Sequence, residues 1–574
     1  MSLRRALLLV LALLLAAGCA GVPESSDVEV VRSVPAAEPL AVDGPAPGTS
    51  PFRLVRDFIE ATGNPADGHA AARAFLTEQA ARDWNDGQGL TVIEDSPDTP
   101  VSGLGATGAG EPVDARGVVV RAATVGSVNR DGSFVADAGQ LTRQLDLVRE
   151  NAEWRITDPR PGVLVERTAF EQNYRQVRIF FADRGRGTLV PDMRWLAARP
   201  DATVAGRVLD LLLGGPSGTL RDAVVSGLPP DARLRSNVLV DSQGRTVIDL
   251  AGVGGLSEAD RRLVAAQLVS TLDGLVRSPL RLLADGQPLV EGKPEWRTMD
   301  IAPYTSAAGP SPDVLGKVVY DGRLRDLDGD PVAGPAGSGE LWVRSATQSS
   351  PNGEQLAAVV DGPDGRSQLR VGHTGRAMTR VPLNAGSMTR PTWRPSGNEV
   401  WTVIDGRTVA GVALSETGEP TTYQVDAAEL AGLGPITDLR LSRDGMRVAA
   451  VVGGRLVVAT VVSSEGLVSL RQPRELGEAN LPRSASVDWA RADLLMVASS
   501  ESGPQVSEVS VDGAVYSSLS STNLTAPLTS VAAAPGRETV VADANGLWAY
   551  SESQQAWEPL LGGIGPGAAP AYPG

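Results

Sequence analysis

Residue types that most catalytic and metal sites require are scarce in this 574-residue sequence. It contains one cysteine, Cys19, and two histidines, His69 and His373. A Ser-His-Asp set needs a histidine beside its nucleophile, and the G-x-S-x-G turn that presents such a serine is missing. Zinc sites are usually built from cysteine clusters or paired histidines. We therefore predict a protein that is not an enzyme and has no catalytic residue, cofactor or metal.

Positive charge is also in short supply. Lys293 and Lys317 are the two lysines, and 52 basic residues stand against 68 acidic ones, for a net charge of −16. Proteins that bind nucleic acid present a stripe of Lys and Arg to the phosphates, and this chain has no such stripe. Nucleic acid is therefore excluded as a partner. With a single cysteine, the chain also forms no internal disulfide bond.

Long hydrophobic runs are missing after the first residues, where one short run stands out. Arg4 and Arg5 precede an aliphatic stretch at 7–18, which ends at Cys19. This is the layout of a secretory signal peptide with a lipoprotein cleavage site. The stretch is shorter than the roughly 20 residues of a membrane-spanning helix. Ala16 departs from the usual pattern, in which Leu is commoner at that position.

We predict that the signal peptide, residues 1–18, is cleaved between Gly18 and Cys19. The Cys19 thiol then carries a diacylglycerol and its amino group an acyl chain, and two or more acyl chains suffice for stable anchoring. This places the chain at the extracytoplasmic face of the cell membrane, on a proline-rich tether at 19–50. The alternative is plain secretion, with a cysteine at this position by chance.

Residues 51–170 have the pattern of an α+β domain. Pro51 begins a helix, and a second helix is predicted at 69–76. The first helix has apolar residues at helical spacing, namely Phe52, Val55, Phe58 and Ile59. Strands are predicted at 118–127, from Ser133 onward, at 144–149 and at 154–157. Helices followed by a curved antiparallel sheet predict a cystatin-like or NTF2-like domain, whose interior is either core or a ligand cavity.

Residues 171–300 alternate between strand and helix patterns. The order βαββαβ predicts a two-layer α/β domain. Thr203 and Ser257 are expected to cap its two helices. The predicted strands lie at 177–181, 238–240, 246–250 and 280–283.

Residues 310–565 are predicted to form a β-propeller. A tight turn followed by a strand recurs in SSPNGEQLAAVVDG, WRPSGNEVWTVIDG, LSRDGMRVAAVVGG and AAPGRETVVADANG, with a degenerate copy, WARADLLMVASS. Gly353, Gly397 and Gly445 are 44 and 48 residues apart, and Gly536 follows Gly445 by 91. A period near 45 is that of a four-stranded blade. We predict five or six blades, with six favoured and the ring closed by strands from both ends, and a flexible tail at 566–574.

Several motifs in the chain admit two interpretations. Residues 326–330 match the start of a calcium loop, but Pro331 and Gly337 stand where its glycine and glutamate are needed, which favours a solvated turn. Residues 103–108 match the dinucleotide fingerprint without its flanking strand and helix, which favours a surface loop. Five tryptophans either pack between blades or form a stacking platform, namely Trp342, Trp393, Trp401, Trp489 and Trp548.

Four phrases in the second predicted domain are LLLGGPSG, LPPDARL, VIDLAG and AAQLVSTL. In this order they resemble the GerMN domain of sporulation-related and actinobacterial envelope lipoproteins. Together with the signal peptide, the α+β domain and the propeller, the whole chain resembles the LpqB family of actinobacterial lipoproteins. The resemblance implies an accessory protein of the MtrAB two-component system. It would meet the extracytoplasmic part of the sensor kinase MtrB and affect envelope homeostasis and division.

Two other classes of function fit the same sequence. One is an envelope receptor or enzyme that binds a glycan or a small molecule in the propeller channel or in the first domain. The other is a spacer that only holds other proteins at a distance from the membrane.

Overall fold

The computed structural model describes residues 44–99, 101–102, 115–185, 187–305, 310–350, 352–477, 481–564 and 567–574. Gly18, Cys19, the tether up to residue 43 and the loop motif at 103–108 lie outside these residues. Residues 45–574 form one compact unit, which spans all three predicted domains. No helix in the described ranges is long and apolar enough to cross a membrane.

The first region begins with an amphipathic helix, α1, at Pro51–Thr62. Ser50 caps its N-terminus, and Pro51 occupies the first turn, where no intrahelical N–H bond is required. The buried face carries Leu54, Val55, Phe58 and Ile59. Phe52, which the helical spacing assigned to this face, is 45% exposed.

Within the described ranges, the other elements of the first region form short helices and one sheet. The helices are α2 (Ala70–Arg73), α3 (Glu78–Asp83) and α4 (Arg167–Asn173), with a 3-10 turn at Asp86–Gln88. The strands are β1 (Leu90–Ile93), β2 (Val101–Ser102), β3 (Ala115–Val128), β4 (Phe134–Glu150), β5 (Glu153–Ile156) and β6 (Val163–Glu166). The strand order is β5-β4-β3-β1-β6, with β2 on β3.

This region differs from its prediction in three respects. The segments from Ser133 and at 144–149 form one strand, β4, because it pairs with β3 along nearly its whole length. The helix predicted at 69–76 is confined to α2, because Leu76 already forms a bridge with Ile156 at the sheet. Strand β6 runs parallel to β1, so the sheet is mixed rather than antiparallel.

Among its described residues, the second region contains two small sheets and two helices. Its elements are β7 (Tyr174–Asp183), β8 (Leu189–Ala197), α5 (Asp201–Leu213), β9 (Val224–Val225), β10 (Arg233–Leu234), β11 (Leu239–Val240), β12 (Thr246–Ala251), α6 (Glu258–Leu272), β13 (Leu280–Ala284), β14 (Gln287–Pro288) and a 3-10 segment at Thr298–Tyr304. The sheets have the orders β8-β7-β9 and β10-β12-β13-β14, with β11 on β12. Apolar residues of both helices and both sheets form one core.

The helix caps of the second region were predicted with mixed success. Ser257 caps α6 as expected, since its hydroxyl accepts the N–H of Asp260 at 3.2 Å. Helix α5 instead begins after Pro200, and Thr203 lies inside it. Strand β8 was not predicted, because Pro191 and charged residues interrupt its apolar pattern.

In the part of the chain that the structure describes, the third region consists of six antiparallel sheets in succession. Its strands are β15 (Lys317–Tyr320), β16 (Arg323–Asp326), β17 (Val343–Gln348), β18 (Gln355–Asp361), β19 (Ser367–His373), β20 (Met378–Ala385), β21 (Thr392–Trp393), β22 (Glu399–Ile404), β23 (Thr408–Leu414), β24 (Pro420–Val425), β25 (Ile436–Leu441), β26 (Arg447–Val452), β27 (Arg455–Ser464), β28 (Leu467–Glu475), β29 (Ser484–Arg491), β30 (Leu494–Ser499), β31 (Val506–Ser510), β32 (Tyr516–Ser518), β33 (Ser530–Ala532), β34 (Val540–Ala542), β35 (Gly546–Ser551), β36 (Ala556–Gly562) and β37 (Ala569–Ala571). Short helices α7 (Pro335–Ser338) and α8 (Ala428–Ala431) lie between them.

Strands β17 to β36 form five consecutive four-stranded sheets, and β16, β15 and β37 form a three-stranded sheet. The first strands of successive four-stranded sheets contact one another, and β37 contacts both β17 and β33. The six sheets therefore close into a ring, which we call the ring region. Its inner strands are the first strands of the sheets and β37.

The repeated turn lies between the first and second strands of its sheet. Gly353, Gly397, Gly445 and Gly536 have φ angles of 70°, 70°, 73° and 70°. This left-handed conformation favours glycine, which explains why the glycine recurs. The turn-then-strand repeat is thus confirmed at β18, β22, β26 and β34.

The predicted flexible tail at 566–574 is wrong for its last residues. Ala569–Ala571 form β37 and pair with β15, and the Tyr572 side chain is buried. The Tyr572 hydroxyl donates to the Glu538 carbonyl at 2.9 Å. The reason is the closure of the ring, since the sheet of β15 and β16 takes its third strand from the end of the sequence.

Candidate functional site

The hairpin formed by β7 and β8, residues 174–197, lies where all three regions meet. We call it the hub hairpin. Successive side chains of a strand point to opposite faces of the sheet. One face of the hub hairpin carries Val177, Ile179, Phe181 and Val190 into the core of the second region. The other face carries Met193 and Trp195, which pack into cores of the ring region and of the first region, respectively.

Trp195 is the main contact of the hub hairpin with the first region. Its ring centroid lies 4.6 Å from that of Phe170, and the side chain is only 6% exposed. Its backbone N–H donates to the Gly132 carbonyl at 2.7 Å. The neighbouring Arg194 donates a hydrogen bond to the Asp131 carbonyl. Apolar burial and backbone hydrogen bonds together fix the first region on the hairpin.

Asp512 of the ring region joins the hub hairpin from the other side. Its carboxylate accepts the Trp195 indole N–H at 2.9 Å and the Gln176 amide N–H at 3.0 Å. It also accepts the Ser510 hydroxyl at 2.6 Å. The carboxylate is buried, so these donors replace the water it has lost. The Arg447 guanidinium adds a hydrogen bond to the Pro191 carbonyl.

A buried ion pair stiffens the hairpin from within. Asp192 accepts Arg194 Nη2 at 2.7 Å, and both side chains are almost fully buried. Asp192 also accepts the backbone N–H of Ser217 at 2.7 Å and its hydroxyl at 2.9 Å. These donors satisfy the Asp192 carboxylate, whereas Arg194 Nε is buried without a hydrogen-bond partner among the described residues. The hub hairpin can therefore hold three regions in one arrangement.

A second buried polar group, the axis cluster, lies among the inner strands of the ring region. It consists of Arg390, Asp438, Arg440, Arg443 and Asp488. Arg390 donates to the carbonyl oxygens of Val487, Val531 and Pro570, which lie on or beside three different sheets. Arg440 Nε lies 3.3 Å from an oxygen of Asp488. Charged groups thus tie the sheets together at the centre of the ring.

The charges of the axis cluster strongly affect one another. Burial raises the pKa of Asp488, but Arg440, Arg390 and Arg443 lower it by more, so that the pKa lies below its ordinary value. Burial lowers the pKa of Arg440, and it lowers that of Arg443 to about 10. Asp488 is therefore a carboxylate at neutral pH, and its charge compensates the buried guanidinium groups.

The last residues of the sequence fill the centre of the ring beside the axis cluster. Arg440 Nη2 donates to the Gly574 carbonyl at 3.0 Å, and Arg443 donates to the Pro573 carbonyl. The Gly574 N–H donates to the Gln348 carbonyl at 2.8 Å. A ligand that entered the propeller channel here would have to displace these residues.

Deletion of Pro573 and Gly574 is expected to lower the free energy of unfolding by about 1–3 kcal/mol. The deletion leaves buried donors of Arg440 and Arg443 without acceptors, and such groups are costly. Urea unfolding followed by tryptophan fluorescence measures this difference. An unchanged midpoint would mean that water satisfies the two guanidinium groups equally well.

The two histidines lie in different regions and have different neighbours. His69 Nδ1 lies 2.9 Å from Asp86, and its Nε2 is buried with no hydrogen-bond partner among the described residues. His373 is exposed, 3.4 Å from the Gln355 amide nitrogen. The predicted lipidation residues, Gly18 and Cys19, lie outside the described residues.

The candidate calcium loop is a hydrogen-bonded turn at the end of β16. The N–H of Gly329 donates to the Asp326 carbonyl at 2.9 Å, and the Asp326 side chain pairs with Lys317. Within the described ranges, no three His, Cys, Asp or Glu residues cluster closely enough to hold a metal ion.

The five tryptophans have different roles. The indole N–H of Trp393 donates to Thr347 O and that of Trp489 to Arg440 O, each at 3.1 Å and each across two neighbouring sheets. Trp401 is buried, and its N–H lies 2.8 Å from Glu399. Trp548 is half-buried, whereas Trp342 is 59% exposed.

Sequence reasoning missed both the hub hairpin and the axis cluster. The axis cluster left a visible signal, because Asp438, Arg440 and Asp488 are charges inside otherwise apolar strands that precede the repeated turn. The contact between Trp195 and Asp512 left no such signal in the sequence, since the two residues are 317 residues apart.

Comparison with known families and proteins gives consistent matches along the chain. Residues 44–171 match a family model described as the N-terminal domain of lipoprotein LpqB. Residues 178–290 match one described as sporulation and spore germination. Residues 321–573 match one described as the lipoprotein LpqB beta-propeller domain.

Similar curated proteins cover nearly the full chain. A protein named lipoprotein LpqB from Mycolicibacterium paratuberculosis is 34% identical over 99% of both chains. Its namesake from Mycobacterium tuberculosis is 33% identical over 97% of both chains. The Rhodococcus opacus protein of the same name is 32% identical over 97% of this chain and 96% of its own.

Proposed function

Because the chain belongs to the LpqB family of actinobacterial lipoproteins, we propose that it is a membrane-anchored accessory protein without catalytic activity. It acts on the MtrAB two-component system through the extracytoplasmic part of the sensor kinase MtrB. In this role it modulates signalling that affects envelope homeostasis and cell division. The lipoprotein name of the relatives supports the membrane anchor. The sequence resemblance to the LpqB family, which implies MtrB as the partner, supports the contact with the kinase.

The hub hairpin is the observation that carries this proposal. Trp195, Asp512 and the Asp192–Arg194 pair join three regions through buried contacts. A protein that docks on a kinase gains affinity when its surfaces are preorganised. We therefore propose that the protein acts through the surfaces of its three regions, which the hub hairpin holds in one rigid arrangement.

We propose a division of labour along the chain. Residues 1–18 direct export, and Cys19 at the head of a tether to residue 50 holds the protein at the membrane. Residues 51–170 form a cystatin-like or NTF2-like domain, 171–300 the GerMN domain, and 310–565 with β37 a six-bladed propeller. The three-stranded sheet of β15, β16 and β37 is its sixth blade.

Replacement of Cys19 by Ala tests the anchor. Without the thiol no diacylglycerol can be attached, and we expect Cys19→Ala to move from the membrane fraction to the soluble extracytoplasmic fraction. Immunoblots of fractionated cells and mass spectrometry of the N-terminal peptide measure this. Membrane retention of Cys19→Ala, or an unmodified Cys19 in the wild type, would contradict the proposal.

Signalling tests the docking role. Cells that carry Cys19→Ala or lack residues 315–574 should lose MtrB-dependent signalling. The first change releases the protein from the membrane where the kinase lies, and the second removes the surfaces of the ring region. A reporter driven by the MtrAB system measures this against the wild type. A full response in both strains would contradict the proposed function.

A further inference from the structure

A cleft of about 480 Å³ lies beside the hub hairpin, between the second region and the ring region. Arg178, Phe180 and Pro191 of the hairpin form one side of it. Residues at the end of α6 and two ring residues form the others, namely Ser270, Thr271, Leu275, Asp444 and Ala492. Ligand sites in proteins often lie at such domain boundaries. We call this cleft the edge cleft, because it follows one edge of β7.

Part of the β7 backbone at the edge cleft is unpaired. Alternate residues of a strand direct their N–H and C=O groups to opposite edges. Phe180 directs its groups away from β8, where its N–H donates to Thr271 Oγ1 at 3.0 Å and its C=O accepts from Gln267 at 2.9 Å. Gln176 and Arg178 follow the same alternation. Within the described residues, their backbone groups at this edge have no hydrogen-bond partner.

The charges of the edge cleft favour a negatively charged ligand. Arg178 is exposed and has no carboxylate partner among the described residues. Arg175 lies 3.9 Å from Asp201, whose side chain is 90% exposed, so this pair is weak. Asp444 of the cleft is buried and pairs with Arg447 at 3.4 Å, whereas Asp273 is exposed and keeps its negative charge. Arg175 and Arg178 outnumber this carboxylate, so the cleft has an excess of positive charge.

We propose that the edge cleft binds an extended acidic peptide segment of a protein partner. The segment adds a strand to β7, with the N–H and C=O groups of Gln176 and Arg178 as its hydrogen-bond partners. An acidic side chain of the segment pairs with Arg178, and apolar side chains lie against Phe180 and Leu275. This inference goes beyond the proposed function and does not depend on which protein supplies the segment.

Amide hydrogen exchange of the full chain tests the edge cleft directly. The probes are two blocked hexapeptides, Glu-Val-Glu-Val-Glu-Val and Lys-Val-Lys-Val-Lys-Val. We expect the acidic peptide to slow exchange in the segment 174–180 saturably, and the basic peptide to have no such effect. No saturable slowing by the acidic peptide, or slowing only in other segments, would overturn the proposal.

Substitutions at position 178 separate the charge from the backbone edge. Arg178→Glu should weaken binding of the acidic peptide at least tenfold, whereas Arg221→Glu, an exposed arginine outside the cleft, should leave it unchanged. Arg178→Thr keeps the N–H and should retain measurable binding, while Arg178→Pro removes the N–H and should abolish it. Equal affinities of the wild type and Arg178→Glu, or of the Thr and Pro variants, would overturn the proposal. Urea unfolding of each variant confirms that it folds.

Discussion

Asp488→Asn is expected to lower the free energy of unfolding by about 3–5 kcal/mol. The substitution keeps the shape of the side chain but removes one of the two carboxylates of the axis cluster. Arg440 and Arg390 lie 3.3 and 3.9 Å from Asp488, and both are buried. After the substitution, Asp438 would be the remaining carboxylate of the cluster. Positive charge would then be buried without compensation, which costs far more free energy than the loss of a surface ion pair.

Urea unfolding followed by tryptophan fluorescence measures this loss. The matched control is Asp493→Asn, whose carboxylate pairs with the exposed Arg491 at 3.1 Å. A surface pair of this kind contributes at most about 1 kcal/mol. Equal destabilisation by the two substitutions would show that the charge of Asp488 does not stabilise the buried guanidinium groups of the axis cluster.

The lowered pKa of Asp488 also predicts a pH dependence. The folded-state pKa lies below the unfolded value of about 4, so the unfolded chain binds the proton more readily. The stabilisation from Asp488 is therefore fully present above the unfolded pKa and is lost as the pH falls through the folded pKa. The wild type should lose more stability on acidification than Asp488→Asn does. Parallel stability curves of the two proteins would contradict this assignment.

Trp195→Ala is expected to lower the free energy of unfolding by about 3–5 kcal/mol and to loosen the first region from the rest. The substitution leaves a cavity against Phe170 and removes the indole N–H that Asp512 accepts. Because Trp195 belongs to the core of the first region, the loss affects both its packing and its attachment. We expect two unfolding transitions in place of one, and faster proteolysis at the junction near residue 173.

Trp342→Ala is the matched control for this prediction. Trp342 is 59% exposed, so its removal should change the free energy of unfolding little. Trp195→Phe keeps one aromatic ring but loses the hydrogen bond to Asp512 and part of the buried ring volume, so its loss of stability should be smaller than that of Trp195→Ala. A single transition and wild-type proteolysis in Trp195→Ala would show that the hub hairpin does not couple the regions.

The sequence predicted features that depend on local patterns. The recurring turn of the ring region was found from Gly353, Gly397 and Gly445, because a left-handed φ selects glycine wherever the turn occurs. The capping of α6 by Ser257 was found for a similar reason. The family models confirm the resemblance to LpqB and its GerMN and propeller domains.

Features that depend on distant partners could not be predicted. The outward face of the hub hairpin has meaning only once Asp512 is placed beside Trp195 and Gln176. Pro191, Asp192 and Arg194 made β8 look unlike a strand, because their partners come from other regions. The last residues looked like a free tail for the same reason, since β37 finds its partner in β15 at the other end of the ring.

In-cell photocrosslinking from exposed positions on each region identifies the proteins that this protein meets at the membrane. Suitable positions are Arg56 on the first region, Arg221 on the second and Asp364 on the ring, all of them exposed. We expect capture of the extracytoplasmic part of MtrB from at least one position, and loss of this capture in Cys19→Ala. Capture of peptidoglycan enzymes without MtrB from every position would contradict it.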